Sequence, residues 1–565
     1  MKISYLVQID RPENHIVKVT LKVKEIKAAT IRFFLPSWSP GSYLMREYSR
    51  HIRFIKAEKV NGERLNLEQV KKGEWSLETK SLHELDLVYE IYLKELTVRT
   101  SHVDSTHAFL HGPSYLVGIL GEEMNSPEIE FRFPPVWSKI STSLKSKEKK
   151  AFTYEAKNYD ELIDCPVEIG CHQTDGFEYL GKKHELAFYG TIYPHPNQLK
   201  NDFIQITKTV SDHFDGDLPY ENYLFLTHFV PKLYGGLEHL NSTALHFDGR
   251  KLSSRKDYLN YLSLIAHEYF HLWNVKRIRP VELGPFNYQE EAYTSLLWLA
   301  EGLTSFMDDL FVYRAGLSSL EEYLDIVRGN LDLYLSTPGR KFHSLEESSF
   351  NAWIKLYRPD ENSKNSSVSY YLKGGLVFMC LHALMKEQGS SVDQLLKELW
   401  KLFKQRPEQG VTRNEVYELI KKLTNEEVLG EFSWMVETTQ DINFEKYLSK
   451  MGLGLEFFEP TTASLGVEWD FMGDRAVIKT VLLDGAAYRS GLNAGDEIIS
   501  INGLRFLKED VDKISSTFML NHSYDITISR MGQIIEFPIM FEKAARSLKE
   551  IKVLDRSLVE KSFKL

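Results

Sequence analysis

The sequence predicts a multidomain α+β protein: an N-terminal β-sandwich-like domain, a mostly helical middle domain, and a small C-terminal domain of short strands. Three observations predict it. The chain has 565 residues, several times the size of a single hydrophobic core. Its first third alternates apolar and polar residues, its middle is helically periodic, and its end sets short strands between glycine turns. Hydrophobic residues make up 43% and charged residues 26%, a globular balance that excludes wholesale disorder.

The elements follow in order. In residues 1–165, HIVKVTLKVKEI and LHELDLVYEIYLKEL carry the two-residue period of half-buried strands, and SWSPGSY (37–43) and LHGPS (110–114) are turns. Many short strands so punctuated predict a sandwich. Residues 166–455 change character: β segments at 185–191 and 222–248 precede helical patterns at 254–275, 291–315, 318–336, 367–388 and 391–405. From 460 to 545, RAVIKTV, EIISING, YDITISR and IIEFPIMF read as strands and KEDVDKISSTF as a helix. A charged tail, 546–565, completes the chain.

Charge and composition narrow the function. A net charge of −10 and a pI near 6.0 argue against nucleic acid as a partner, because a phosphate-binding surface shows a basic excess. No run is long enough to span a bilayer, and Asp10 interrupts any signal-peptide core. The expectation is a soluble, cytoplasmic protein with no membrane partner. Cys165, Cys171 and Cys380 are too few for a disulfide framework, and Cys165, Cys171 and His172 fit no common zinc spacing. They read as buried, inert thiols.

The strongest chemical signal is His267-Glu268-Tyr269-Phe270-His271, in a predicted helix capped by Ser254 with Asp257 three residues on. Helical i and i+4 positions lie on one face, so the two imidazoles share a point in space where a zinc ion can sit. Glu268 stands beside that point as a general base for water. Chance would supply about 0.04 copies of such a set in this composition. Two carboxylates compete as third ligand. Glu290 follows His271 at the spacing of the common HExxH-x18-E pattern. Glu301, in LLWLAEGLTSF, is preferred because it lies on an apolar helix, whereas Glu290 follows Gly284, Pro285 and Asn287 in a loop. Arg277 stands where a metzincin would place a third histidine.

HEYFHLWNVKRIRP followed by LLWLAEGLTSF resembles the glycyl aminopeptidase family, a branch of the gluzincin metallopeptidases related to aminopeptidase N. LPSWSPGSYLMREYSRHI (35–52) is similar to a segment of that family's N-terminal domain. The resemblance implies a thermolysin-like catalytic domain, one Zn2+ per chain on His267, His271 and Glu301, and a C-terminal PDZ domain. Trp298-Leu299-Ala300-Glu301-Gly302 matches the WLxEG context of the third ligand, which makes the longer spacing an insertion around 276–290.

An aminopeptidase must also hold a free α-ammonium. Tyr234-Gly235-Gly236-Leu237-Glu238-His239 resembles the GxMEN segment of related enzymes, so the resemblance gives Glu238 that role, with Gly235 and Gly236 letting a peptide approach. His239 replaces the asparagine, and that position's contacts do not carry over. The alternative is a Gly-Gly turn with a solvated carboxylate. Tyr370-Tyr371-Leu372-Lys373-Gly374 resembles the YxKG stretch, whose register selects Tyr371 over Tyr370 as oxyanion donor. The Lys276–Arg279 cluster reads either as a substrate-carboxylate site or as a tie to nearby acids.

SGLNAGDEIISINGLRF (490–506) resembles a PDZ signature, and Ser464-Leu465-Gly466-Val467 is its candidate carboxylate loop, open to a C-terminal peptide or serving only packing. The expected function is hydrolysis of the first peptide bond of peptides with a free N-terminus, with the Gly or Ala preference that the resemblance implies. The alternatives are a zinc endopeptidase using its PDZ domain as a substrate selector and a non-catalytic PDZ scaffold.

Overall fold

A computed structural model describes residues 1–192 and 196–564, which divide into two compact units. The first comprises Met1–Tyr293, Phe311–Ser318 and Trp400–Val411; the second comprises Thr294–Leu310, Ser319–Leu399 and Thr412–Leu565.

The first unit begins with an eight-stranded sheet and two four-stranded sheets. The two alternating segments are neighbouring interior strands of the eight-stranded sheet. Ile16–Lys24 runs antiparallel to Glu84–Tyr92, bringing Val17 opposite Ile91, Val19 opposite Tyr89 and Leu21 opposite Leu87. All six are buried, with the intervening Lys18 and Lys22 outside the core, as the period of two requires.

A five-stranded sheet follows in the order Gln173–Tyr179, Lys182–Gly190, Asn222–Phe229, Ser242–Phe247, Gly235–Glu238. The parallel pair Lys182–Gly190 and Asn222–Phe229 needs a crossover, supplied by the helix Pro196–His213; the second parallel pair is joined through the edge strand Gly235–Glu238. Leu199, Phe203, Ile206 and Val210 line one face of that helix and are buried. The last strand, Gly235–Glu238, is the sheet edge, and the helix Arg255–Phe270 packs beside it. Ser254 caps that helix by accepting from Asp257 N. The helical pattern expected over 254–275 ends at Phe270, and turns continue the chain from His271.

The second unit is helical around Tyr370–Glu387, whose flanks include Leu345–Phe350 and Glu426–Glu437. The pattern expected from 291 becomes a π-helical turn, Trp298–Gly302, leading into the helix Leu303–Arg314. Gly302 and Gly374 meet there. A Cβ on Gly302 would lie 2.6 Å from the Gly374 Cα, so only glycine permits this approach. Beyond, five strands order as Val467–Met472, Arg475–Val481, Glu497–Ile501, Ser523–Arg530, Gln533–Met540. KEDVDKISSTF forms two short helices, Lys508–Val511 and Ile514–Thr517, instead of one.

Two sequence readings are corrected. Residues 546–565, read as a charged tail, form a strand and a helix. Ser547–Val553 pairs with Leu453–Phe458, and Arg556–Phe563 buries Val559 and Phe563. The charges mask an apolar stripe: Leu548, Ile551, Val559 and Phe563 are all buried. Of the three cysteines, Cys165 and Cys380 are buried but Cys171 is exposed, beyond the end of the strand Val167–Gly170. Among the described residues no helix is long and apolar enough to cross a membrane.

If the C-terminal helix is structural, Phe563→Ala should cost about 3–5 kcal/mol, the range for emptying a buried phenylalanine site. Urea denaturation of the full chain measures it, and an unchanged midpoint would restore the tail reading.

Candidate metal centre and active site

The helix Arg255–Phe270 ends where the chemistry begins. His267 lies in its last turn and His271 caps it, with ring centroids 4.6 Å apart and planes at 88°. His271 is 1% exposed, and its Nδ1 lies 2.7 Å from the Asn274 carbonyl. The carbonyl accepts that N–H, which fixes the tautomer and leaves Nε2 as a lone-pair donor, the state a metal-bound imidazole needs. This partner is a backbone oxygen, freed because the chain leaves helical geometry after Phe270. No side chain in the sequence marks it.

Glu268 is buried on the same helix. Against it lies Gly236 of the edge strand, where a Cβ would come within 2.0 Å of Glu268 Oε1. Gly236 is thus a close-approach glycine that lets the edge strand lie against Glu268. Two residues on, Glu238 is 5% exposed. Ligand-type atoms of Glu238, Glu268 and His271 all lie within 4.8 Å of one another. The Gly-Gly turn with a solvated carboxylate is therefore not what forms: Gly235–Glu238 is a strand and its carboxylate points inward.

Two neighbours were not legible in the motif. Gly41, in the SWSPGSY turn at φ +81°, lies so close that a Cβ would be 2.5 Å from Glu238 Oε1. Arg99 donates from Nη2 to the Gly236 carbonyl at 3.2 Å. His239 takes up Asp164, 3.2 Å away, and Lys276 binds the same carboxylate at 2.9 Å. Burial works against the Asp164 carboxylate, but Lys276 and His239 outweigh it and hold its pKa well below the usual range. Lys276 thus ties to an acid. Arg277, pulled down to about 10 by burial, donates to the carbonyls of Leu240, Leu272 and Pro219. A cavity of about 210 Å³ adjoins Glu238, walled by Trp38, Tyr43, Phe286 and Tyr288 among others.

In the second unit, Glu301 stands on the π turn at 2% exposure. Its competitor Glu290, in the first unit, is an exposed loop residue that accepts from Asn287 Nδ2 at 3.2 Å. Tyr371, in the first turn of Tyr370–Glu387, feels Glu301. Burial first, and then the Glu301 charge, push its phenol well above the ordinary value, so it stays a protonated donor. Tyr357 OH lies 3.4 Å from Tyr371 OH. Two neutral imidazole nitrogens and a carboxylate oxygen are the N,N,O set that zinc takes in peptidases, and the two histidines are donors of the kind that set requires.

Residues 4–171 match the Peptidase M61 N-terminal domain, residues 260–377 the M61 glycyl aminopeptidase and residues 444–519 the PDZ domain. A search of curated proteins gave no match. Among solved structures, an aminopeptidase N family protein from Idiomarina loihiensis is 28% identical, with 100% of each chain covered and a TM-score of 0.93. An M1 zinc metallopeptidase from Deinococcus radiodurans is 14% identical over 79% of this chain and 95% of its own, with a TM-score of 0.47. With two domains of one peptidase family in sequence, a PDZ domain after them and a full-length structural relative, the chain belongs to the M61 peptidase family.

Proposed function

We propose that this peptidase is an aminopeptidase in which His267, His271 and Glu301 hold one zinc ion, Glu268 is the general base, Tyr371 is the oxyanion donor and Glu238 binds the substrate's α-ammonium. The observation that carries it is the approach of Glu238, Glu268 and His271 to within 4.8 Å of one another. A carboxylate that close to the base allows only the first peptide bond of a chain to reach the chemistry.

A zinc ion bound there supplies Lewis-acid polarisation of a carbonyl and a more acidic water. Glu268 takes the proton from the attacking water and passes it to the departing amine. Tyr371, kept protonated by burial, donates to the carbonyl oxygen as negative charge develops on it. Gly235 and Gly236 let an extended substrate backbone approach the edge strand, whose outer edge has no neighbouring strand among the described residues.

A preference for N-terminal Gly or Ala is supported by the tight closure of Gly41 over Glu238. The cavity beside Glu238 favours a second reading, in which a larger first side chain enters among Trp38, Phe286 and Tyr288. For the PDZ region we propose a C-terminal peptide ligand, supported by Gly466 at φ +70° in the candidate loop. Three free thiols accord with a cytoplasmic setting.

Three measurements test the proposal. Glu268→Gln should lower kcat by roughly 10²–10⁴-fold with zinc content unchanged; wild-type turnover would remove Glu268 as the base. Glu238→Ala should cut kcat/KM on free-amine peptides by roughly 10–100-fold, while N-acetylated peptides stay poor substrates of both proteins. Efficient cleavage of acetylated peptides would instead establish the endopeptidase. Across aminoacyl reporters, Gly and Ala turning over fastest supports the closed reading, and Leu or Phe fastest supports the cavity.

A further inference from the structure

A second set of metal-type donors lies in the first unit, apart from the proposed active site. His107 is on the strand His107–Leu110 and Glu168 on its antiparallel neighbour Val167–Gly170. His228 is on Asn222–Phe229 of the five-stranded sheet. His107 Nδ1 stands 2.8 Å from Glu168 Oε1, and His228 Nε2 stands 3.0 Å from Glu168 Oε2. The three side chains are 2%, 1% and 0% exposed.

The energetics of this cluster are unbalanced. Glu168 is a carboxylate held in the core, and its two oxygens face the two imidazoles. Among the described residues its only ionic partners are the two imidazoles. Two neutral imidazoles leave a buried carboxylate uncompensated, and an imidazolium there is itself disfavoured by desolvation.

We propose that His107, Glu168 and His228 form a second, structural binding site for a divalent transition-metal ion, zinc being the species that suits it. Two neutral imidazole nitrogens and a carboxylate oxygen are a zinc donor set. Tetrahedral zinc with bonds of about 2.0–2.2 Å sets neighbouring donors about 3.3–3.6 Å apart, and the donor atoms of these three side chains all lie within 4.8 Å of one another. The cation neutralises Glu168 without protonating either histidine. It also joins a strand pair of the N-terminal β region to the sheet that carries Glu238.

The surroundings suit the role. Tyr189 stacks on His107 with centroids 3.5 Å apart, which holds the ring against rotation. On the other side His107 shares a second cluster with His102 and Asp104, whose side chains are 14% and 33% exposed.

The test is metal content per chain, by mass spectrometry, on full-length protein dialysed into metal-free buffer. Wild type should carry one equivalent of zinc more than E168Q and one more than H228Q, with aminopeptidase activity retained in both variants. E168Q keeps the size and shape of the side chain but removes its charge and turns one acceptor oxygen into an amide donor, so its zinc content is read together with that of H228Q. Equal zinc in wild type, E168Q and H228Q overturns the site. Where neither variant folds, H271A, which lacks a proposed catalytic ligand, carries the test. After removal of its metal and titration with cobalt(II), one equivalent bound with visible d–d absorption supports the second site, and no binding overturns it.

Discussion

Two carboxylates buried beside one imidazole set the terms for the active site. Glu238 and Glu268 are each about one-twentieth exposed and lie within 4.8 Å of each other and of His271. Like charges at that distance in a poorly solvated place repel strongly. The arrangement becomes favourable when positive charge is brought to it, and the proposed reaction brings two kinds: a divalent cation on the imidazoles and the ammonium of a peptide N-terminus. The same repulsion that burdens the free site strengthens its hold on a cationic end of a substrate. On the proposed reading, specificity for a free amine and affinity for metal have one electrostatic origin.

That geometry depends on glycines more than on the acids themselves. Gly236 lets the edge strand approach Glu268, and Gly41 lets the 37–43 turn close over Glu238. In the second unit Gly302 and Gly374 bring the π turn that carries Glu301 against the helix that carries Tyr371. Within both WLAEG and YYLKG, the glycine is the point where two backbones touch. The residues between are thereby held in register: a π turn adds a residue to the helical repeat and turns Glu301 away from the direction an α-helix would give it.

The chemistry was legible in the sequence where it depended on local spacing. The His-Glu-His helix, its Ser254 cap and the two alternating strands all follow from periods of 3.6 or 2, and the structure has them. What escaped depended on long-range contact. The Asn274 carbonyl beside His271, the Gly41 turn beside Glu238 and the Arg99 bond to Gly236 join residues that no local pattern relates. The helix Pro196–His213 is a different case. Its apolar positions 199, 203, 206 and 210 carry the helical period, but Ile204, Ile206, Thr207, Thr209 and Val210 favour a strand, and tertiary burial decides. In the last segment the many lysines and glutamates concealed the four apolar residues that pack.

That segment changes what the PDZ region is mechanically. A module on a flexible leash would move independently of the helices before it. Here Ser547–Val553 closes a two-stranded sheet with Leu453–Phe458, Leu548 N donates to Asp332 at 2.6 Å, and the Ser562 carbonyl lies 2.8 Å from His382 Nε2. The chain leaving the PDZ strands is thus fastened to two helices of the same unit. A further contact fastens the PDZ strands directly. Asn365 donates to the Val481 carbonyl and accepts from Leu483 N, both at 2.8 Å, and Lys364 pairs with Glu468. A side-chain amide that satisfies a donor and an acceptor at once fixes orientation as well as distance. Asn365 lies six residues before Tyr371, with Ser367 and Ser369 anchoring the chain between them. Attachment at both ends therefore makes the PDZ region a brace for the helix that presents the proposed oxyanion donor, whether or not its groove holds a peptide.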